Sequence, residues 1–151
     1  VLTILVISYF ISSPQARSVF ASLIKSDEVI KNSVQIDGEH TLIFEDGTYQ
    51  ELLSIKSRNQ GVEFKVCLQG DIIGDEYRID KIIEPIMYEQ HYNRVVAEPC
   101  PPTSLVSMHS HPELHCIFSR QDVRSFEQFK ERNPDAIMGV MCSDKRFNFF
   151  R

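Results

Sequence analysis

His109-Ser110-His111-Pro112-Glu113-Leu114-His115-Cys116-Ile117-Phe118-Ser119-Arg120-Gln121-Asp122 is the stretch on which the reading of this chain turns. Leu105, Val106, Ser107 and Met108 precede it and read as a strand that runs into a turn at Pro112. Side chains alternate between the faces of a strand, so His109 and His111 project the same way. Two imidazoles on one face can hold one side of a metal ion, and Asp122 supplies a third ligand if the chain folds back. Three N/O ligands leave a coordination position open, which is the arrangement of catalytic zinc. Structural zinc is usually closed by four protein ligands, mostly cysteine.

Ser119 and Asp122 also form S-x-x-D, a helix start resembling a capping box, and Val123, Phe126 and Phe129 follow at helical spacing. Either fragment alone is common: S-x-x-D is most often a cap, and H-x-H is most often not a metal site. The joint pattern H-S-H-P, six residues, S, two residues, D is far more specific.

His109, Ser110, His111, Pro112, Ser119 and Asp122 fall without insertion or deletion on the H-[ST]-H-P…S-x-x-D motif, and here the chain resembles the JAMM (JAB, MPN-plus) metalloprotease family. The resemblance implies zinc on His109, His111 and Asp122, with Ser119 helping to hold the oxyanion of the tetrahedral intermediate. The family also needs an upstream glutamate in a segment ending Leu-x-Gly, and Glu63-Phe64-Lys65-Val66-Cys67-Leu68-Gln69-Gly70 matches it. Glu63 is thereby assigned as the catalytic carboxylate, taking a proton from the attacking water and passing it to the leaving amine. Without the downstream motif, Glu63 reads as a solvated glutamate at a strand end.

The fold that the resemblance implies is α/β, a mixed, curved β-sheet flanked by helices, similar to cytidine-deaminase-like folds. It covers residues 41–151, with residues 1–40 as an N-terminal extension. The matched part lacks the long C-terminal helices of the eukaryotic multi-subunit members, which implies a minimal, stand-alone enzyme of undecided oligomeric state. The implied substrate is an amide bond after the Gly-Gly tail of a ubiquitin-like modifier, bound extended along a sheet edge. Two alternatives stand beside it: a hydrolase that processes a ubiquitin-like sulfur-carrier protein, and a non-catalytic MPN scaffold. Scaffolds normally lose the ligands, and here all are present.

The 151 residues suffice for one domain with a real core, and a net charge of -5 gives no basic excess for nucleic acid or anionic membrane. The four cysteines, Cys67, Cys100, Cys116 and Cys142, form no C-x-x-C pair, which argues against a disulfide framework or a cysteine zinc site. Pro99-Cys100 is followed by Pro101, Pro102 and Thr103, so the P-C-x-x-C of zinc deaminases is absent. Cys116 occupies a position where several family members carry a cysteine, and Cys142 is within reach of it. A Cys116–Cys142 bond is one reading, and in a cytosolic protein two buried free thiols are the expected state.

Val1–Ile11 is an apolar run too short to span a bilayer and lacks the basic flank of a signal peptide. It reads equally as a buried strand or as part of a longer targeting or anchor segment. The expected location is cytoplasmic, with membrane association only through this run. Ser12-Ser13-Pro14 starts a helix whose Val19, Phe20, Leu23 and Ile24 form a stripe expected to face the core. Val34–Ile36 and Thr41–Phe44 flank a turn at Asp37–His40, with His40 a turn residue rather than a ligand.

After Asp46-Gly47 comes a helix carrying Tyr49, Leu52, Leu53 and Ile55, which the resemblance favours over a strand and which ends near Gly61. The remaining expectations are strands over Val62–Leu68 and Tyr77–Ile83, a long loop over Met87–Thr103 bordering the cleft, a helix over Val123–Lys130, and strands over Ala136–Cys142 and Arg146–Phe150. His91 and His115 read as exposed loop residues without a role.

Overall fold

The computed structural model describes residues 3, 4, 8, 12–112 and 115–151. The Val1–Ile11 reading therefore lies largely outside the described residues. Helix α1 (Pro14–Lys25) is capped by Ser13 and followed by β1 (Asp27–Glu28), β2 (Ser33–Gln35) and β3 (Thr41–Phe44). Next come α2 (Thr48–Arg58), β4 (Lys65–Ile73), β5 (Glu76–Ile83), β6 (Met87–His91), β7 (Arg94–Ala97) and β8 (Val106–Ser110). The chain ends with α3 (Arg120–Lys130), β9 (Ile137–Met141) and β10 (Arg146–Phe150).

Eight strands form one mixed sheet in the order β1-β10-β9-β8-β4-β5-β3-β2, with β8–β9 and β3–β5 parallel and the other pairs antiparallel. The sheet curves almost onto itself, because its two edge strands are consecutive in the chain. Only residues 29–32 separate them, tied by Val29 N donating to Lys145 O and Phe44 N to Asn32 O, both at 2.8 Å. Residues 27–40 thus supply both edges of the sheet that carries the site, and the expected boundary at 40/41 falls inside a hairpin.

One face of the sheet holds the main core. Leu52 and Ile55 of α2 are fully buried against Leu42, Val66, Ile79, Met108 and Phe147. The opposite face is covered by α3, whose Phe126 and Phe129 pack on Ala136, Met138 and the Cys67–Cys100 pair. With both faces covered, every residue of β9 is buried, which explains its unbroken apolar run in a parallel pairing. At Gly70 a register shift interrupts the β4–β5 ladder, and a Cβ there would lie 1.8 Å from Arg78 O, so only glycine fits the bulge.

Four expectations are corrected. The strand expected over Val62–Leu68 starts at Lys65 and runs on to Ile73: Val62 N and Glu63 N donate to Asn59 O and His91 O, outside the main sheet, and only Phe64 still bonds to Ser110 of β8. The expected loop over Met87–Thr103 contains the β6–β7 hairpin, a separate two-stranded sheet. Helix α1 does not bury its apolar stripe: Phe20 is 57% and Ile24 79% exposed, while Ser22 on its other side is 2% exposed. The cysteines are all paired, Cys67 with Cys100 and Cys116 with Cys142, since the sheet brings together residues that no short-range motif links. Among the described residues no helix is long and apolar enough to cross a membrane.

Candidate metal centre

Strand alternation aims His109. Val106, Met108 and Ser110 of β8 turn into the core, which leaves Ser107 and His109 on the face toward α3. His111 lies just past the strand, and its N–H donates to Met141 O at 3.0 Å, so the backbone keeps its register with β9 beyond β8. The two imidazoles converge as expected, with Nε2 atoms 2.9 Å apart. His111 Nδ1 faces the His115 carbonyl at 2.9 Å. A ring nitrogen facing a carbonyl carries the proton, so Nε2 of His111 is left with its lone pair toward His109.

Asp122 arrives on the first turn of α3, where a reciprocal cap fixes its carboxylate. Asp122 N donates to Ser119 Oγ at 3.1 Å, and Ser119 N donates to Asp122 Oδ2 at 2.6 Å. The other oxygen, Oδ1, lies 3.4 Å from His109 Nε2, and Oδ2 is 3.9 Å from His111 Nε2. Cap and candidate ligand are therefore one feature, and α3 begins at Arg120 rather than Val123.

His109, His111 and Asp122 could hold a metal ion: their donor atoms lie within 4.8 Å of one another. Tetrahedral ligands at about 2.0–2.2 Å from an ion stand roughly 3.3–3.5 Å apart. The two Nε2 atoms stand 2.9 Å apart, His109 Nε2 is 3.4 Å from Asp122 Oδ1 and His111 Nε2 is 3.9 Å from the other oxygen, Oδ2, so a donor from each side chain is near enough to the other two for a single ion.

Glu63 is 7% exposed and its Oε1 sits 3.9 Å from His111 Nε2. Its backbone is mounted on the hairpin: Glu63 N donates to His91 O at 2.8 Å, and Gln90 Nε2 donates to Glu63 O at 3.1 Å and Asn59 Oδ1 at 2.9 Å. One residue on, Phe64 N donates to Ser110 Oγ at 3.0 Å and Ser110 N to Phe64 O at 2.9 Å, which fastens this segment to the end of β8. All five expected residues thus meet at one place.

Burial sets the electrostatics. It pushes the Glu63 carboxyl up to about 7, with His109 pulling it down and Asp122 pushing it further up. Burial, with His109 beside it, holds His111 down at about 4, so its ring is neutral and able to ligate at pH 7. Burial also pushes Asp122 upward, but hydrogen bonds from His109 and Ser119 and the charge of His109 outweigh it, and the carboxyl stays well below its usual range. The two carboxyl groups are thus pushed in opposite directions, Asp122 toward the ionised form and Glu63 toward the protonated one.

These groups open into a cavity of about 580 Å³. Ser119, Ile117 and Phe118, Tyr92, Arg94 and Val95 of the β6–β7 hairpin, and Pro14 and Val19 of α1 also line it. The hairpin borders the cleft, as expected of the Met87–Thr103 segment, but as a strand pair. His91 is exposed and contributes only its carbonyl; His115 is exposed, yet its carbonyl orients His111. Sequence reasoning missed this contribution and that of α1, because main-chain acceptors and cleft walls have no residue signature. No protein-family model and no curated protein matches the chain.

Proposed function

We propose that this chain is a zinc-dependent amide hydrolase of the JAMM type, in a JAB/MPN-like fold. The observation that carries the reading is the convergence of Glu63, buried and with a raised pKa, on the N/N/O donor set of His109, His111 and Asp122 at the floor of an open cavity. Zinc held by these three side chains would supply Lewis acidity toward a water and a carbonyl oxygen. Glu63 accepts the proton of the attacking water at its carboxylate and returns it to the leaving amine nitrogen, a task suited to a pKa near the working pH. Ser119 uses a lone pair to accept the Asp122 N–H, so its hydroxyl proton is available to a developing oxyanion. Losing such a donor typically costs on the order of 100-fold in rate. The neutral imidazole of His111 is held by the His115 carbonyl.

The motif resemblance favours a substrate that ends in the Gly-Gly tail of a ubiquitin-like modifier. A topological feature supports extended binding: among the described residues β7 pairs only with β6, and Arg94 and Val95 on it line the cavity. A ubiquitin-like sulfur carrier has the same tail chemistry and is the alternative substrate. The two cysteine pairs persist where thiols are oxidised, which weighs against the cytosolic setting expected from sequence and fits an anchored or exported enzyme.

The test is zinc content by elemental analysis, paired with cleavage of a linear fusion carrying a ubiquitin-like Gly-Gly tail, with and without chelator. The expected result is about one zinc per chain, held by His109, His111 and Asp122, and chelator-sensitive cleavage. Asp122→Asn and His111→Ala should each lower the bound metal; full zinc stoichiometry in either variant means that the ligand set is misread.

A further inference from the structure

Beyond the five motif residues, helix α1 contributes more to the site than a cavity wall. Ser22 is 2% exposed although it is polar, and its Oγ accepts the N–H of Cys116 at 2.9 Å. The carbonyl of the same peptide unit, that of His115, accepts Nδ1–H of His111 at 2.9 Å. A trans peptide is planar and points its C=O and N–H in opposite directions. One rigid plane therefore links Ser22 at one end to a candidate metal ligand at the other. Ser22 itself is steadied from β10, where Arg146 Nη1 donates to Ser26 O at 2.9 Å and to Ser26 Oγ at 3.0 Å, fixing the end of α1. Asn148 Nδ2 donates to Cys116 O at 2.6 Å and holds the next peptide.

We propose that Ser22 is a positioning residue for the metal centre: by accepting the Cys116 N–H it orients the His115 carbonyl toward His111 and so selects the tautomer whose Nε2 can bind metal. The inference rests on the metal-site reading above. Without the Ser22 hydroxyl the Cys116 N–H is a buried donor with no acceptor, and the plane gains by rotating. A rotated plane no longer offers the carbonyl to Nδ1. In the extreme it presents N–H there, which demands that Nδ1 be the acceptor and puts the ring proton on Nε2. That form cannot ligate through Nε2.

The test uses the full chain in its metal-free form. Long-range ¹⁵N–¹H spectra identify the tautomer of His111, and competition with a chromogenic chelator gives zinc affinity. The wild-type chain should show His111 protonated at Nδ1. Ser22→Ala should show a mixture of tautomers and zinc binding weakened about tenfold, the lower end of what outer-sphere partners contribute. Ser22→Thr, which keeps the acceptor, should restore both. A general loss of stability would lower the melting temperature without changing the tautomer, so the spectrum separates positioning from packing.

Unchanged tautomer and affinity in a folded Ser22→Ala chain overturn the proposal. An Nε2-protonated ring as the main wild-type form overturns it too, and that result needs no variant, so an unfolded Ser22→Ala chain still leaves a deciding measurement. A wild-type chain that binds no zinc refutes the metal reading, while the tautomer still decides the role of Ser22.

Discussion

The donor side of the cavity and the wall facing it differ in how the chain makes them. His109, His111, Ser119 and Asp122 come from one strand, one turn and the first turn of one helix, all within residues 109–122. Glu63, Tyr92 and Val19 come from three separate segments joined only by tertiary contacts, and Gln90 ties the first of these to the second through the Glu63 carbonyl. The first side depends on spacing, so an error of one residue destroys it. The second depends on where α1 and the β6–β7 hairpin rest, and many sequences can satisfy that. Glu63 belongs to the wall by its position in the chain and to the donor side by its chemistry.

Removing the Glu63 carboxyl tests that double membership and should have the largest effect. Glu63→Gln is expected to keep zinc and to lose at least 100-fold in turnover, within the 10²–10⁴ typical of a general acid–base group. Full activity in this variant removes Glu63 from the mechanism.

The same substitution has a stability signature in the metal-free chain. Folding raises the Glu63 pKa from 4.5 to about 7, so the folded state keeps a proton that the unfolded chain releases above pH 4.5. That contribution is present at low pH and is lost as pH rises through 7. Gln does not titrate. The stability of Glu63→Gln relative to wild type should therefore rise between pH 4.5 and 7 and level off above, by roughly 1–3 kcal/mol. His111 acts in the opposite sense, since its folded pKa is depressed to about 4, but both proteins carry it and it cancels in the difference. Denaturant titrations at pH 5 and pH 8 give the answer; a difference that does not change with pH means that burial does not raise this carboxyl.

A smaller effect is expected at Gln90, which touches Glu63 only through the main chain. Gln90→Ala deletes the bonds to Glu63 O and Asn59 Oδ1 and lets the mount of the carboxylate relax. Misplacing a catalytic group by as much as 1 Å can cost about 100-fold, and a partial loosening should cost roughly tenfold in kcat. Zinc content should not change. If kcat is unaffected, the hairpin only borders the cleft and does not hold Glu63.

The contrast explains what the sequence made legible. The S-x-x-D cap, the alternation that aims His109 and the unbroken apolar run of β9 are each decided by neighbours a few residues away, and each holds in the fold. The helix after Asp46-Gly47 runs to Arg58 with Asn59 as its C-cap, and Gly61, with a φ of +79°, lies in the turn that follows, close to the expected stop. The β6–β7 hairpin escaped because Tyr92-Asn93 is a turn without glycine between strands of mixed polarity. The Cys116–Cys142 bond is one of the two states that the sequence left open, whereas Cys67–Cys100 escaped because a separation of 33 residues carries no local signal and only the sheet order brings the partners together.

Helix α1 is the instructive failure, because its periodicity is real and its expected burial is not. Val19, Phe20, Leu23 and Ile24 share a face, yet the polar contacts that tie the helix to the rest of the fold are made by Ser22 and, at its end, Ser26. The spacing of apolar residues indicates which face of a helix is apolar, but not whether anything packs there. The smallest expected effect follows from this. Ile24 is 79% exposed, so Ile24→Glu should change stability by no more than about 0.5 kcal/mol, as surface substitutions usually do. Phe129, 5% exposed beneath α3, provides the reference: Phe129→Ala should cost about 3–5 kcal/mol through lost burial and the cavity left behind. Chemical denaturation of both variants beside wild type measures the gap. A cost at Ile24 comparable to that at Phe129 would mean that the stripe is packed in solution, and the core-facing reading from periodicity would be right after all.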